Sequence, residues 1–172
     1  MSITLVRHTR PDVEVGVCYG LTDLPLAVSF DEEAAQLIPA LPKAENLVTS
    51  PLLRCRRLAE RIGSELGIEP VVDQRLQEMS FGHWEGMSWN DISRAELDEW
   101  AKDFLYARPH GGESVHMLRV RVMNALADYQ RAGSDHIVVT HAGVIRAALA
   151  RGDTADDYDS RIAFGQVIEL TA

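Results

Sequence analysis

The run Ile137-Val138-Val139-Thr140 is β-branched and mostly apolar at consecutive positions, and it limits the possible folds more than any other stretch. Residues 3–6, Ile3-Thr4-Leu5-Val6, resemble it near the other end of the chain. Apolar runs without polar alternation describe strands buried on both faces, the environment of a parallel sheet covered by helices. Both runs also lead into a histidine, Arg7-His8 after the first and His141-Ala142 after the second. In a parallel sheet the carboxyl ends of the strands share one side, where ligands of α/β proteins sit. The two imidazoles are therefore expected to face one crevice.

Helical patterns fill the intervals. Ser29-Phe30-Asp31-Glu32 has capping-box spacing, and Ala34, Leu37, Ile38 and Leu41 follow on one face until Pro42. Leu47-Val48-Thr49 reads as a strand. Ser50-Pro51 then suggests a second helix with serine as its cap, an apolar face of Leu53, Leu58, Ile62 and Leu66, and Gly67 as its end. Val71-Val72 is a third strand fragment. Residues 88–106 read as one helix carrying Trp89, Ile92, Leu97, Trp100 and Phe104, and Ser114 caps another through Gln130 with the stripe Leu118, Val122, Ala125, Leu126 and Tyr129. A short helix at 144–150 and a strand at 167–170 complete the chain. The expectation is an α/β fold, a three-layer α/β/α sandwich with a mostly parallel central sheet, forming a single domain over residues 1–172. Residues 11–27 form a long loop without periodicity, a length at which loops are usually functional.

The net charge of -9, from 26 acidic and 17 basic side chains, disfavours a nucleic-acid backbone as partner. Cys18 and Cys55 lie far apart, with no CxxC and no histidine cluster at ligand spacing, so neither a disulfide framework nor a metal site is indicated. No apolar run approaches the length of a membrane span and no secretion pattern opens the chain, so no membrane partner and a cytoplasmic location are expected. A homodimer is left open.

Arg54 follows a strand and sits near the start of a helix, which places another guanidinium toward the strand-tip side. Two arginines, two histidines and helix-end amides suit a phosphoryl group, whose transfer depends mainly on positioning and charge stabilisation. A proton donor for the leaving oxygen is also needed. Glu78, between Leu76 and Met79, is the first candidate, with Glu85 and Glu113 as competitors that could instead orient loops.

These residues carry a family resemblance. Arg7-His8, Ser50-Pro51-Leu52-Leu53-Arg54, the segment Leu76-Gln77-Glu78 with Phe81-Gly82-His83-Trp84-Glu85-Gly86, and Thr140-His141-Ala142-Gly143 resemble, in order, the motifs of the histidine phosphatase (phosphoglycerate mutase-like) superfamily. The resemblance implies that neutral His8 attacks phosphorus to form a phosphohistidine. Glu78 would protonate the departing alcohol and then activate water, while Arg7, Arg54 and His141 hold the phosphoryl oxygens. Thr9, Tyr19, Gly20 and Ala142 would complete the substrate contacts, with no cofactor or metal. Thr9 stands where the family commonly has glycine, and Ala142 replaces one of two glycines after the second histidine. Arg-His-Thr, the run Gly16-Val17-Cys18-Tyr19-Gly20-Leu21-Thr22-Asp23 and Gly111-Gly112-Glu113-Ser114 are most similar to the α-ribazole phosphatase branch. That branch implies removal of the 5′-phosphate of α-ribazole 5′-phosphate in cobalamin biosynthesis. Alternatives are a phosphatase for a sugar phosphate, phosphoglycerate or protein phosphohistidine, a phosphoglycerate mutase, and an inactive phosphate-binding module.

Overall fold

Strands β1 (Ile3–Arg7), β2 (Asn46–Thr49), β3 (Pro70–Val72), β4 (His136–Thr140) and β5 (Val167–Leu170) form one sheet in the order β3-β2-β4-β1-β5. The computed structural model describes residues 1–170. β4 pairs in parallel with β1 and β2, β2 pairs in parallel with β3, and only β5 runs antiparallel, along β1. The two apolar runs are thus neighbours, with Val6 opposite Val139 and Arg7 opposite Thr140.

Helices α1 (Phe30–Leu37) and α2 (Leu53–Leu66) cover one face, and α4 (Val115–Ala132) and α5 (Ala142–Leu149) cover the other. Successive strand residues point to opposite faces. Leu5 and Val138 accordingly pack with Leu118, Val122 and Ile145, whereas Val6, Ile137 and Val139 pack with Leu58 and Ile62. Burial on both sides removes the need for polar alternation, and the three-layer α/β/α expectation holds. Every residue of the stripe assigned to α4 is buried, Ser114 caps it by accepting from the Met117 amide at 3.1 Å, and Gly133 ends it at φ +73°.

Several local expectations are corrected. The helix expected at 88–106 is only α3 (Arg94–Lys102), and Trp89 and Ile92 lie in the turns before it. There the Ser88 carbonyl accepts from Asp91 and its hydroxyl accepts from Asn90, local bonds that compete with a helix. Helix α2 starts at Leu53 with Leu52 at its cap, so Ser50 is not the cap. Leu66, expected on its apolar face, is exposed. Helix α1 ends at Leu37, and Pro39, which has no N–H, turns residues 38–40 into a 3-10 turn. The capping box expected at Ser29 is absent; its hydroxyl donates to Glu33 instead, at 2.6 Å.

Candidate active site

The parallel pairing of β1 with β4 brings the two strand-tip histidines together, their ring centroids 5.2 Å apart. His8 is 2% exposed, and its Nδ1 lies 2.7 Å from the Thr9 carbonyl oxygen. A carbonyl only accepts, so Nδ1 carries the proton and the neutral ring presents its lone pair at Nε2. Burial, followed by the Arg54 and then the Arg7 charge, drives the His8 pKa well below its ordinary value, against the pull of the Thr9 hydrogen bond. The same causes, burial first and then the proximity of His8 and Arg54, lower His141. At neutral pH both rings are uncharged.

His141 is fully buried, with Nε2 2.7 Å from the Ser50 hydroxyl and 3.4 Å from the Cys55 sulfur. Sequence patterns pointed to Ser50 as a helix cap; its role as a neighbour of His141 needed β2 to lie beside β4. Both cysteines are free and buried, and burial pushes the Cys18 thiol up to about 12 and Cys55 up as well, so both are inert thiols.

Arg54 has no exposed surface. Its two Nη groups donate to the carbonyls of Thr22 (2.9 Å) and Gly20 (2.7 Å), and Tyr19 lies with its ring centroid 5.3 Å from the guanidinium carbon. Arg7 donates to the Ile162 carbonyl and stacks at 3.8 Å over Phe164, which no sequence pattern marked. The Nε groups of Arg7 and Arg54 are buried and have no acceptor among the described residues.

The three candidate acids separate clearly. Glu85 faces the loop rather than the cleft, accepting from the amides of Gly20, Thr22 and Phe81 and from the Thr22 hydroxyl at 2.6 Å. It thereby holds the loop that in turn holds Arg54. Glu113 pairs with both ends of the Arg121 guanidinium at 2.7 and 2.9 Å, and Arg121 donates to the Arg75 and Glu78 carbonyls. Glu78 alone of the three lines the cleft, with its carboxylate held by its neighbour's amide at 2.9 Å and by the Gly143 amide at 3.1 Å. The start of α5 thus serves Glu78. A side chain at Gly143 would meet the Glu78 carboxylate oxygen at 2.2 Å, so a larger residue there would displace that carboxylate.

The cleft, about 240 Å³, is lined by Arg7, His8, Glu78, Tyr19 and Ala142 together with an aromatic wall that includes Phe81, Trp89, Trp100 and Phe104. Arg54, His141, Thr9 and Gly20 are buried and not part of this lining, though Arg54 lies against Tyr19 and His141 against His8. A basic, water-poor end with a uniquely oriented imidazole and a carboxyl group at its edge can bind a phosphoryl group, attack it and exchange a proton with its leaving oxygen.

The sequence model described as histidine phosphatase superfamily (branch 1) matches residues 3–161. The chain belongs to this superfamily. A probable phosphoglycerate mutase of Photorhabdus laumondii is 31% identical over 151 residues, covering 82% of this chain and 69% of the relative. A glucosyl-3-phosphoglycerate phosphatase of Mycolicibacterium vanbaalenii is 30% identical over 167 residues, covering 86% and 72%. The crystal structure of the alpha-ribazole phosphatase from Shigella flexneri has the same fold, with a TM-score of 0.84 at 24% identity over 99% of this chain and 90% of that one. The chain therefore carries a histidine phosphatase-type architecture, in a superfamily whose members include phosphatases and mutases.

Proposed function

We propose that the chain is a single-domain, metal-independent phosphomonoester hydrolase working through a phosphohistidine at His8. The observation that carries the reading is the 2.7 Å contact from His8 Nδ1 to the Thr9 carbonyl, which selects Nε2 as nucleophile in a site where burial keeps the ring neutral. His8 Nε2 forms the bond to phosphorus as the ester P–O bond breaks, and Glu78 gives its proton to the departing alkoxide. Glu78, now a carboxylate, removes a proton from water, whose oxygen attacks phosphorus and releases His8 and inorganic phosphate. Arg7, Arg54 and His141 hold the phosphoryl oxygens, the arginines with Nε donors that have no acceptor among the described residues.

The substrate in this reading is α-ribazole 5′-phosphate, and the site of action is the cytosol. The aromatic wall of Phe81, Trp89, Trp100 and Phe104 supports a flat ring on the leaving alcohol. The two buried free thiols suit a reducing compartment, and among the described residues no helix is long and apolar enough to cross a membrane. A second substrate reading, phosphoglycerate or its glucosyl derivative, is favoured by the two relatives at 31% and 30% identity, a probable phosphoglycerate mutase and a glucosyl-3-phosphoglycerate phosphatase.

The test is phosphate release in the presence of EDTA, comparing kcat/KM for α-ribazole 5′-phosphate, 3-phosphoglycerate, glucosyl-3-phosphoglycerate, sugar phosphates and a phosphohistidine peptide. A preference of about a hundredfold for the first, near 2.7 kcal/mol, is the expected result. A comparable preference for 3-phosphoglycerate or glucosyl-3-phosphoglycerate would transfer the substrate assignment, and loss of activity in EDTA would overturn metal independence.

A further inference from the structure

Arg146 stands one helical turn beyond Gly143 on α5, so it shares the face that holds Glu78, and it lines the same cleft as Arg7 and His8. Its Nε donates to the Ser160 carbonyl at 2.9 Å, which fixes the plane of the guanidinium. Among the described residues its Nη groups meet no carboxylate, whereas Arg75 pairs with Asp73 and Asp128 and Arg119 with Asp153; Arg56 and Arg108, which also lack an acid, donate to backbone carbonyls and do not line the cleft. Arg7 and Arg54 share this property, their hydrogen bonds going to backbone carbonyls. The mechanism uses those two for the phosphoryl group and leaves Arg146 without a task. The Arg146 Nη groups are not among the buried atoms without a partner, so they face the cleft's solvent and can exchange water for an oxygen acceptor on a ligand.

We infer that Arg146 is the specificity-determining residue for the leaving alcohol, its Nη groups donating to an oxygen acceptor carried close to the phosphoester, either a carboxylate or a sugar hydroxyl. The inference rests on the cleft being a phosphomonoesterase site. It adds a polar contact to a cleft that also carries the aromatic wall, so that a substrate needs an oxygen near the ester as well as an apolar body. An alcohol without that oxygen loses the contact while keeping the phosphoryl contacts intact.

The experiment compares wild type, Arg146→Ala and Arg146→Lys on three probes: phenyl phosphate, ribose 5-phosphate and 3-phosphoglycerate. For Arg146→Ala, kcat/KM is expected to fall about 10- to 30-fold, mainly through KM, on at least one oxygen-bearing probe, and less than about threefold on phenyl phosphate. A fall confined to 3-phosphoglycerate, partly restored by lysine, assigns a carboxylate; one confined to ribose 5-phosphate assigns hydroxyls. Equal falls on all three probes, or none, overturn the inference while leaving the phosphatase reading standing. If wild type hydrolyses none of the three and no other phosphomonoester, the phosphatase reading fails and this inference goes with it. Arg146→Lys keeps a cation in place, so the comparison survives if the alanine variant folds poorly.

Discussion

The two ends of the cleft are built differently. At the end that we assign to the phosphoryl group, His8, Arg54 and His141 have 2% exposure or less and are positioned by strand tips or by the helix after one, with hydrogen bonds to backbone carbonyls or a buried hydroxyl. At the leaving-group end, Phe81, Trp89 and Trp100 come from residues 80–110, where a 3-10 turn, bends and the short α3 replace regular layers. Those rings pack edge to face, Phe81 on Trp89 at 5.6 Å and Phe81 on Trp100 at 6.2 Å between centroids. Such contacts are individually weak and adjustable. Within one superfamily, this division lets the chemistry stay constant while the leaving group is chosen by loops.

If that division is right, substitutions at the phosphoryl end should remove turnover for every substrate, and those at the other end should change only preference. The largest effect is expected from His8→Ala, which should lower kcat by more than about 10⁴-fold on all substrates without loss of fold. Near wild-type phosphate release, or a trapped phosphoenzyme in the variant, would move the nucleophile elsewhere. Glu78→Gln should lower kcat/KM, which reports formation of the phosphohistidine and not the later water step common to all esters, about 10²- to 10³-fold with alkyl esters and much less with p-nitrophenyl phosphate, whose leaving group needs no proton. Equal slowing of both would remove Glu78 from the acid role.

Glu85 tests the join between the two ends, because its carboxylate ties Phe81 of the aromatic wall to the loop that carries the carbonyl partners of Arg54. Glu85→Ala strips those hydrogen bonds and should cost about 2–3 kcal/mol in a urea titration, with kcat/KM reduced about tenfold across substrates. A substrate-selective loss would show that Glu85 serves only the aromatic side.

The smallest effect concerns pH. His8 and His141 are buried neutral, with folded pKa values below the unfolded value near 6.5. Above that value neither state binds the proton and nothing is lost. As pH falls below it, the unfolded chain takes up protons that the native rings refuse, so stability declines until the folded pKa is reached, by about 1.4 kcal/mol per pH unit per histidine. His8→Asn should therefore reduce the slope of unfolding free energy between pH 6 and 5 by about that amount. An unchanged slope would contradict a buried neutral His8.

How much was legible in advance follows the same division. The strand runs, the stripe of α4 and the pairing of Arg7-His8 with His141 are written in local pattern, because two-sided burial of a parallel strand and one-sided burial of a helix each demand a characteristic spacing. The helix expected at 88–106 was too long because Trp89 and Ile92 reach the cluster around Trp84 from turns and Phe104 packs on the main core, leaving only Leu97 and Trp100 on α3. Ser50, Phe164 and Arg121 touch site residues only through contacts across the fold. Arg121 left a faint signal, a cation beside the buried stripe of α4 and eight residues after Glu113.

The sequence by itself determined the layered α/β architecture, the superfamily motifs and the strand-tip histidines, since these depend on periodicity and on residues adjacent in the chain. Tertiary structure decided which nitrogen of His8 is presented, which of three glutamates faces the cleft, and that Arg146 lines it with no carboxylate partner among the described residues. Hydrogen-bond partners and burial are set by which elements pack together, and residues as far apart as Glu78 and Gly143 meet only once the sheet has brought their loops to the same side.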